Sequence, residues 1–121
     1  MGDFWNSIFR RKSQRGVTTS APKEWIAVCL RLEGGEYGND NEREAIKDFA
    51  RELDSEIRAH DVGTFDGDEY GNGECSLFMY GPNADTLFAT IETLLKHWDR
   101  LKGGYVIKRY GSSGASERIE F

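Results

Sequence analysis

The chain has 121 residues, 38% of them apolar and 31% charged, which suits one soluble domain with a single core and excludes two domains. No apolar run approaches the roughly 20 residues that span a bilayer. The net charge of −5 divides unevenly: residues 1–23 hold five basic side chains and one acidic, net +4, while the remainder holds 11 basic and 20 acidic, net −9. Such an acidic domain repels phosphate backbones, so no direct nucleic-acid binding by the folded part is expected.

The chain opens on MGDFWNSIFRRKSQR, in which Phe4, Trp5, Ile8 and Phe9 form one apolar stripe followed by Arg10, Arg11 and Lys12. Aromatics beside bases are the pattern of a short interfacial helix, so weak peripheral membrane contact through residues 1–15 is one expectation. Packing onto a partner or a second subunit is another, and disorder a third. Asn6 stands where an acylation signal has Ser or Thr. No secretory apolar core precedes the bases, so a cytoplasmic location is expected. SQRGVTTSAPK, residues 13–23, has the composition of a linker. The domain is therefore expected over residues 24–111, with residues 112–121 as a C-terminal tail.

WIAVCLRL places Ile26, Val28, Leu30 and Leu32 on one face at period two and predicts a strand over residues 25–32. NDNEREAIKDFARELDSEIRAH spaces Ile46, Phe49, Ala50, Leu53 and Ile57 for an amphipathic helix, with Asn41 and Glu44 as the expected capping pair. Its outer face sets like charges four apart, Glu44 with Asp48 and Lys47 with Arg51, and offsets them where Arg51 meets Asp48 and Glu52. TFDGDEYGNGECSLFMYGP predicts a hairpin in three parts: a strand end through Phe65, an acidic glycine-bearing tip from Asp66 to Glu74, and a buried strand running to Pro82. GPNADTLFATIETLLKHW repeats Ala84, Leu87, Phe88, Ile91, Leu94, Leu95 and Trp98 at helical period, and Gly103-Gly104 is expected to stop that helix. YVIKRY supplies a last strand. The tail GSSGASERIEF is either disordered or a short edge strand over residues 117–121.

The order strand, helix, strand, strand, helix, strand predicts the α+β ferredoxin-like βαββαβ fold, a four-stranded antiparallel sheet with two helices on one face. With the central strands taken as parallel, both helices finish at one end of the sheet and bring His60 near His97. A histidine at a helix C-terminus is also favoured by the dipole alone.

The acidic hairpin admits several chemistries. A calcium loop starting at Asp66 has Asp68 third and Gly71 sixth, but Tyr70 and Leu77 occupy the fifth and twelfth positions where oxygen ligands belong. No metal is therefore expected. Paired carboxylates do acid and base work only when their environments separate their pKa values, which a solvated tip does not provide. A charged turn that discourages edge-to-edge pairing and an acidic partner-binding surface complete the set. Cys29 and Cys75 fall inside strand patterns as small buried apolar side chains, not in a disulfide framework. The glycine runs match neither a dinucleotide fingerprint nor a P-loop, so no cofactor is expected.

GTFDGDE followed by YGPNADTLF resembles a group of small bacterial ferredoxin-like proteins, with a G-x-[FW]-D-G-x-E hairpin and a Y-G-P-x-A-D-x-L-[FY] helix start. The resemblance spans roughly residues 25–110. It implies the same fold and no defined activity, and some of those proteins are similar to immunity partners of bacterial toxins. The expectation is a non-enzymatic protein-binding module with no catalytic residues, an immunity-type inhibitor that presents Asp66, Asp68, Glu69 and Glu74 to a basic partner such as a toxin, with Tyr70 as an aromatic anchor. The alternatives are a small divalent-metal-dependent enzyme or ligand sensor using the acidic loop, and a membrane-tethered adaptor.

Overall fold

The computed structural model describes residues 24–111 and 114–121. Strand β1 (Glu24–Arg31) is followed by helix α1 (Asp40–His60), β2 (Thr64–Gly71), β3 (Glu74–Gly81), α2 (Ala84–His97), a 3-10 turn (Asp99–Leu101), β4 (Tyr105–Arg109) and β5 (Ser116–Glu120). The fold is α+β: two helices and a five-stranded sheet of order β2-β3-β1-β4-β5 in which all neighbours are antiparallel.

Five strands replace the expected four. β5 pairs with β4 from Arg109 opposite Ser116 to Tyr105 opposite Glu120. Phe121 continues it, donating its N–H to Gly104 at 3.0 Å and accepting from the Gly103 N–H at 2.9 Å. Pairing satisfies an edge of β4 that is otherwise open, and Ile119 and Phe121 pack against the core. The central strands are likewise antiparallel and not parallel, with Glu24 opposite Gly81 and Arg31 opposite Glu74. β2 therefore starts beside the end of β3, and β4 starts beside Cys29 near the end of β1. His60 and His97 consequently close their helices at opposite ends of the sheet, each with Nδ1 on a carbonyl of its own helix, Glu56 at 3.0 Å and Thr93 at 2.8 Å.

Both helices lie on one face. Ile26, Val28 and Leu30 of β1 and Cys75, Leu77 and Met79 of β3 meet Ile46, Phe49, Leu53 and Ile57 of α1 and Leu87, Phe88, Ile91 and Leu95 of α2. The opposite face carries a second cluster of Trp25, Ala27, Cys29 and Phe78, flanked by Tyr80, Tyr105 and Ile107. α2 ends at His97, well before the glycine pair, because Trp98 leaves the helix and its ring stacks on Phe49 at 3.9 Å.

α1 is capped two residues earlier than expected, by Asn39 and Glu42. Asn39 Oδ1 accepts the Glu42 N–H at 2.9 Å, and the Glu42 carboxylate accepts from Asn39 at 3.0 Å. The same carboxylate also takes the N–H groups of Glu33 at 2.6 Å and Gly34 at 2.8 Å, which Glu44 is placed too far along the helix to reach. At the other end of β1, Glu24 accepts from Ala84, the first residue of α2, at 2.8 Å and from Gly111 at 3.2 Å. Each helix start is thus tied to one end of β1 by a carboxylate.

Gly63 and Gly81 sit where backbones nearly touch. A Cβ on Gly81 would lie 2.3 Å from the Val62 carbonyl oxygen, and one on Gly63 2.3 Å from that of Tyr80. Gly81→Ala is expected to lower stability by about 2 kcal/mol or more, read as a reduced urea midpoint at constant slope; a change within error would show that the two segments can part freely.

The hydrogen bond from Glu33, followed by those from Asn39 and Gly34, holds the Glu42 carboxyl below its ordinary value of 4.5 against the opposing effect of burial. A depressed carboxyl stabilises the fold above its unfolded pKa, and that stability is lost as pH falls through the lower folded value. Glu42→Gln should therefore cost about 1–2 kcal/mol at pH 7, the range for a lost cap. The gap to the parent should close as pH falls below 4.5; a pH-independent gap in urea titrations would contradict this.

Candidate functional site

The hairpin turn is only two residues long. Asn72 and Gly73 take φ of 55° and 77°, the positive values that a tight hairpin turn of the I′ type requires. Because Asn-Gly closes the turn so economically, the residues before it pair with β3, and the expected acidic tip is in fact edge strand β2 and the first residue of β3. The register steps at Phe65 and Gly67, leaving Asp66 as the extra residue of a bulge with Gly67 at φ 138°.

This register sorts the five predicted site residues. Asp68 lies opposite Leu77 and Tyr70 opposite Cys75, on the helix side, whereas Glu69 lies opposite Ser76 and Glu74 opposite Gly71, on the helix-free side. Asp66 occupies the bulge. Of the five only Asp68 is exposed; the other four are half-buried. Tyr70 packs against the helix-side core, and burial together with the adjacent Cys75 pushes its phenol up. Among the described residues the exposed large aromatic is Tyr37, 57% exposed in the β1–α1 loop. Its sequence signal is an aromatic set among glycines in GGEYGN.

On the helix-free face Glu69 and Glu74 line one side of a groove of about 310 Å³, facing Tyr105, Ile107 and Arg118, with Cys29 and Ser76 also lining it. The Arg118 guanidinium lies 3.7 Å over the Tyr105 ring and pairs with Glu120. Ser76 Oγ approaches Cys29 Sγ at 3.5 Å. Burial pushes the Cys29 thiol up, and burial with the nearby thiol pushes Tyr105 up to about 12. Cys75, fully buried on the other face, is pushed up to about 12. Both shifts disfavour the thiolate that nucleophilic attack requires, and the two thiols project from opposite faces of the sheet.

A second polar cluster joins α2 to β4 and β5. Lys108, 8% exposed, places Nζ 2.8 Å from Asp85 Oδ1, 3.4 Å from Glu117 Oε1 and 4.9 Å from the centre of the Phe88 ring. The Tyr110 hydroxyl donates to Asp85 at 2.6 Å. The Lys108 and Tyr110 bonds hold the Asp85 carboxyl low, and although burial alone would lower Lys108, its bonds to Asp85 and Tyr110 raise it overall. This arrangement gives the Asp of YGPNAD a structural task, fastening the start of α2 to the sheet. Sequence reading placed Lys108 in a strand and gave no sign that its charge is buried.

Among the described residues no group of three His, Cys, Asp or Glu is placed to hold a metal ion, and no helix is long and apolar enough to cross a membrane. The amphipathic stretch and basic linker of residues 1–23 lie outside the described residues. Comparison of the chain with family models, curated proteins and solved structures finds no match.

Removing one partner of a buried charge costs more than replacing the charge itself. Lys108→Met is expected to stay within about 1.5 kcal/mol of the parent, since the stem already packs on Phe88. Asp85→Ala, which leaves Glu117 as the carboxylate beside the ammonium, should lower the melting temperature further than Lys108→Met does; the reverse ranking would refute the assignment.

Proposed function

We propose that this protein is a non-enzymatic protein-binding module, an immunity-type inhibitor that sets an acidic strand against the basic surface of a bacterial toxin. The observation that carries this reading is the position of the carboxylates: Asp66, Asp68 and Glu69 lie on edge strand β2, with Glu74 just across the turn. Because the strand sends them to both of its faces, a partner meets an acidic rim from either side of the sheet. The surrounding chain, with 11 basic and 20 acidic residues beyond residue 23, adds a field of the same sign. Complementary charge of this kind speeds encounter and rejects wrong partners.

The ferredoxin-like reading belongs to the same proposal. Within the larger sheet the order β2-β3-β1-β4 supports a split βαββαβ unit, to which β5 is an addition. The cytoplasm is the compartment in which such an inhibitor would meet its toxin before export.

Affinity purification from the native host with mass spectrometry identifies the partner, and stopped-flow mixing then tests the surface. Asp66→Lys with Asp68→Lys should slow association about tenfold or more at low salt and flatten its ionic-strength dependence. Unchanged kinetics with a confirmed partner would remove the acidic strand from the interface. Calorimetric titration with calcium, magnesium and manganese should be silent; micromolar binding abolished by Asp68→Ala would replace this reading with a metal-dependent one.

A further inference from the structure

Both helices cover one face of the sheet, yet the middle of the other face is buried too. On the helix-free face Trp25 and Phe78 are each 3% exposed, Cys29 5% and Ala27 not at all. Large aromatic rings on a bare sheet face ordinarily leave much of their area in water. We propose that this face is the seat of the chain's own N-terminal segment, whose apolar residues Phe4, Trp5, Ile8 and Phe9 lie over Trp25 and Phe78, with Arg10, Arg11 and Lys12 directed to Glu69 and Glu74.

Three observations favour this occupant. The described chain begins at Glu24, and the next residue, Trp25, is itself part of the helix-free cluster, so the preceding segment arrives at the edge of the surface in question. Residues 13–23 span at most about 38 Å when extended. An eight-residue strand is about 26 Å long and the step from β1 to β2 about 10 Å, so the linker reaches the whole face. Charge selects the segment over a second copy of the domain: residues 1–23 carry net +4, whereas the rest of another chain carries −9 and would meet Glu69 and Glu74 with repulsion. Tethering adds an effective concentration in the millimolar range that a separate molecule lacks.

The cover and the toxin surface proposed above share Glu69 and Glu74, so a partner there would displace the segment. The docking itself does not require that partner. It is tested on the full-length chain alone by following iodoacetamide alkylation of each cysteine by mass spectrometry. Cys29 reports on the helix-free face, and Cys75, sealed under the helices, reports on global opening.

Trp5→Ser with Phe9→Ser should raise the rate at Cys29 about tenfold or more while Cys75 keeps its parent rate, the mark of local uncovering. Glu69→Lys with Glu74→Lys should do the same, and adding Arg10→Glu and Arg11→Glu to that variant should restore protection. If Cys75 accelerates in a variant, that variant has lost its fold and the remaining set decides. Cys29 rates that stay at the parent value in both the apolar and the charge variants overturn the proposal. Protection that disappears on dilution together with a halving of mass by light scattering overturns it too, by giving the face to a second copy.

Discussion

β1 is hydrogen-bonded along both edges and its residues are buried on both faces, and the remainder of the fold is arranged around satisfying it. A strand so placed has no side that tolerates a polar residue through its middle, and WIAVCL supplies none. Its antiparallel partners on either side oblige each helix to cross the sheet in the opposite sense to the other. Its ends are where those crossings begin, and there the carboxylates of Glu42 and Glu24 collect the backbone N–H groups that the turns would otherwise leave unpaired. The hydrophobic pattern sets which strand is central; two buried or half-buried acids set how the helices join it.

The same arrangement explains why the acidic residues take different roles. Glu24, Glu42 and Asp85 accept hydrogen bonds that fasten one element to another. The carboxylates of β2 lie at the margin of the sheet, along its edge strand. Counting acids in this chain therefore overstates its acidic surface, since several of them are fastenings between elements.

Legibility in the sequence follows the strength of the local signal. The period of two in β1 and the apolar repeat of α2 were readable because burial there is dictated by neighbours on every side. β5 has only Ile119 and Phe121 to declare it, and an edge strand covered on one face needs no more. The cap of α1 could be read in two frames, Asn39 with Glu42 or Asn41 with Glu44, and the choice was made by loop N–H groups eight and nine residues from Glu42. The candidate site was legible as composition but not as geometry. Phe65 and Tyr70 stand five apart and both pack on the helix-side core, which is possible only because Asp66 is looped out. That one extra residue sends Asp68 and Glu69 to faces that strict alternation would have exchanged, and residue types alone give little warning of it.

The contact between Gly63 and Gly81 has a consequence for recognising this architecture elsewhere. It joins the entrance of β2 to the exit of β3 through main-chain atoms alone, with less room than a methyl group needs. Any sequence adopting this backbone must keep both positions bare, whatever charges its surface acquires or loses. A template built on these two glycines would follow the scaffold through changes of surface charge, whereas one built on the acidic strand would follow only that charge pattern.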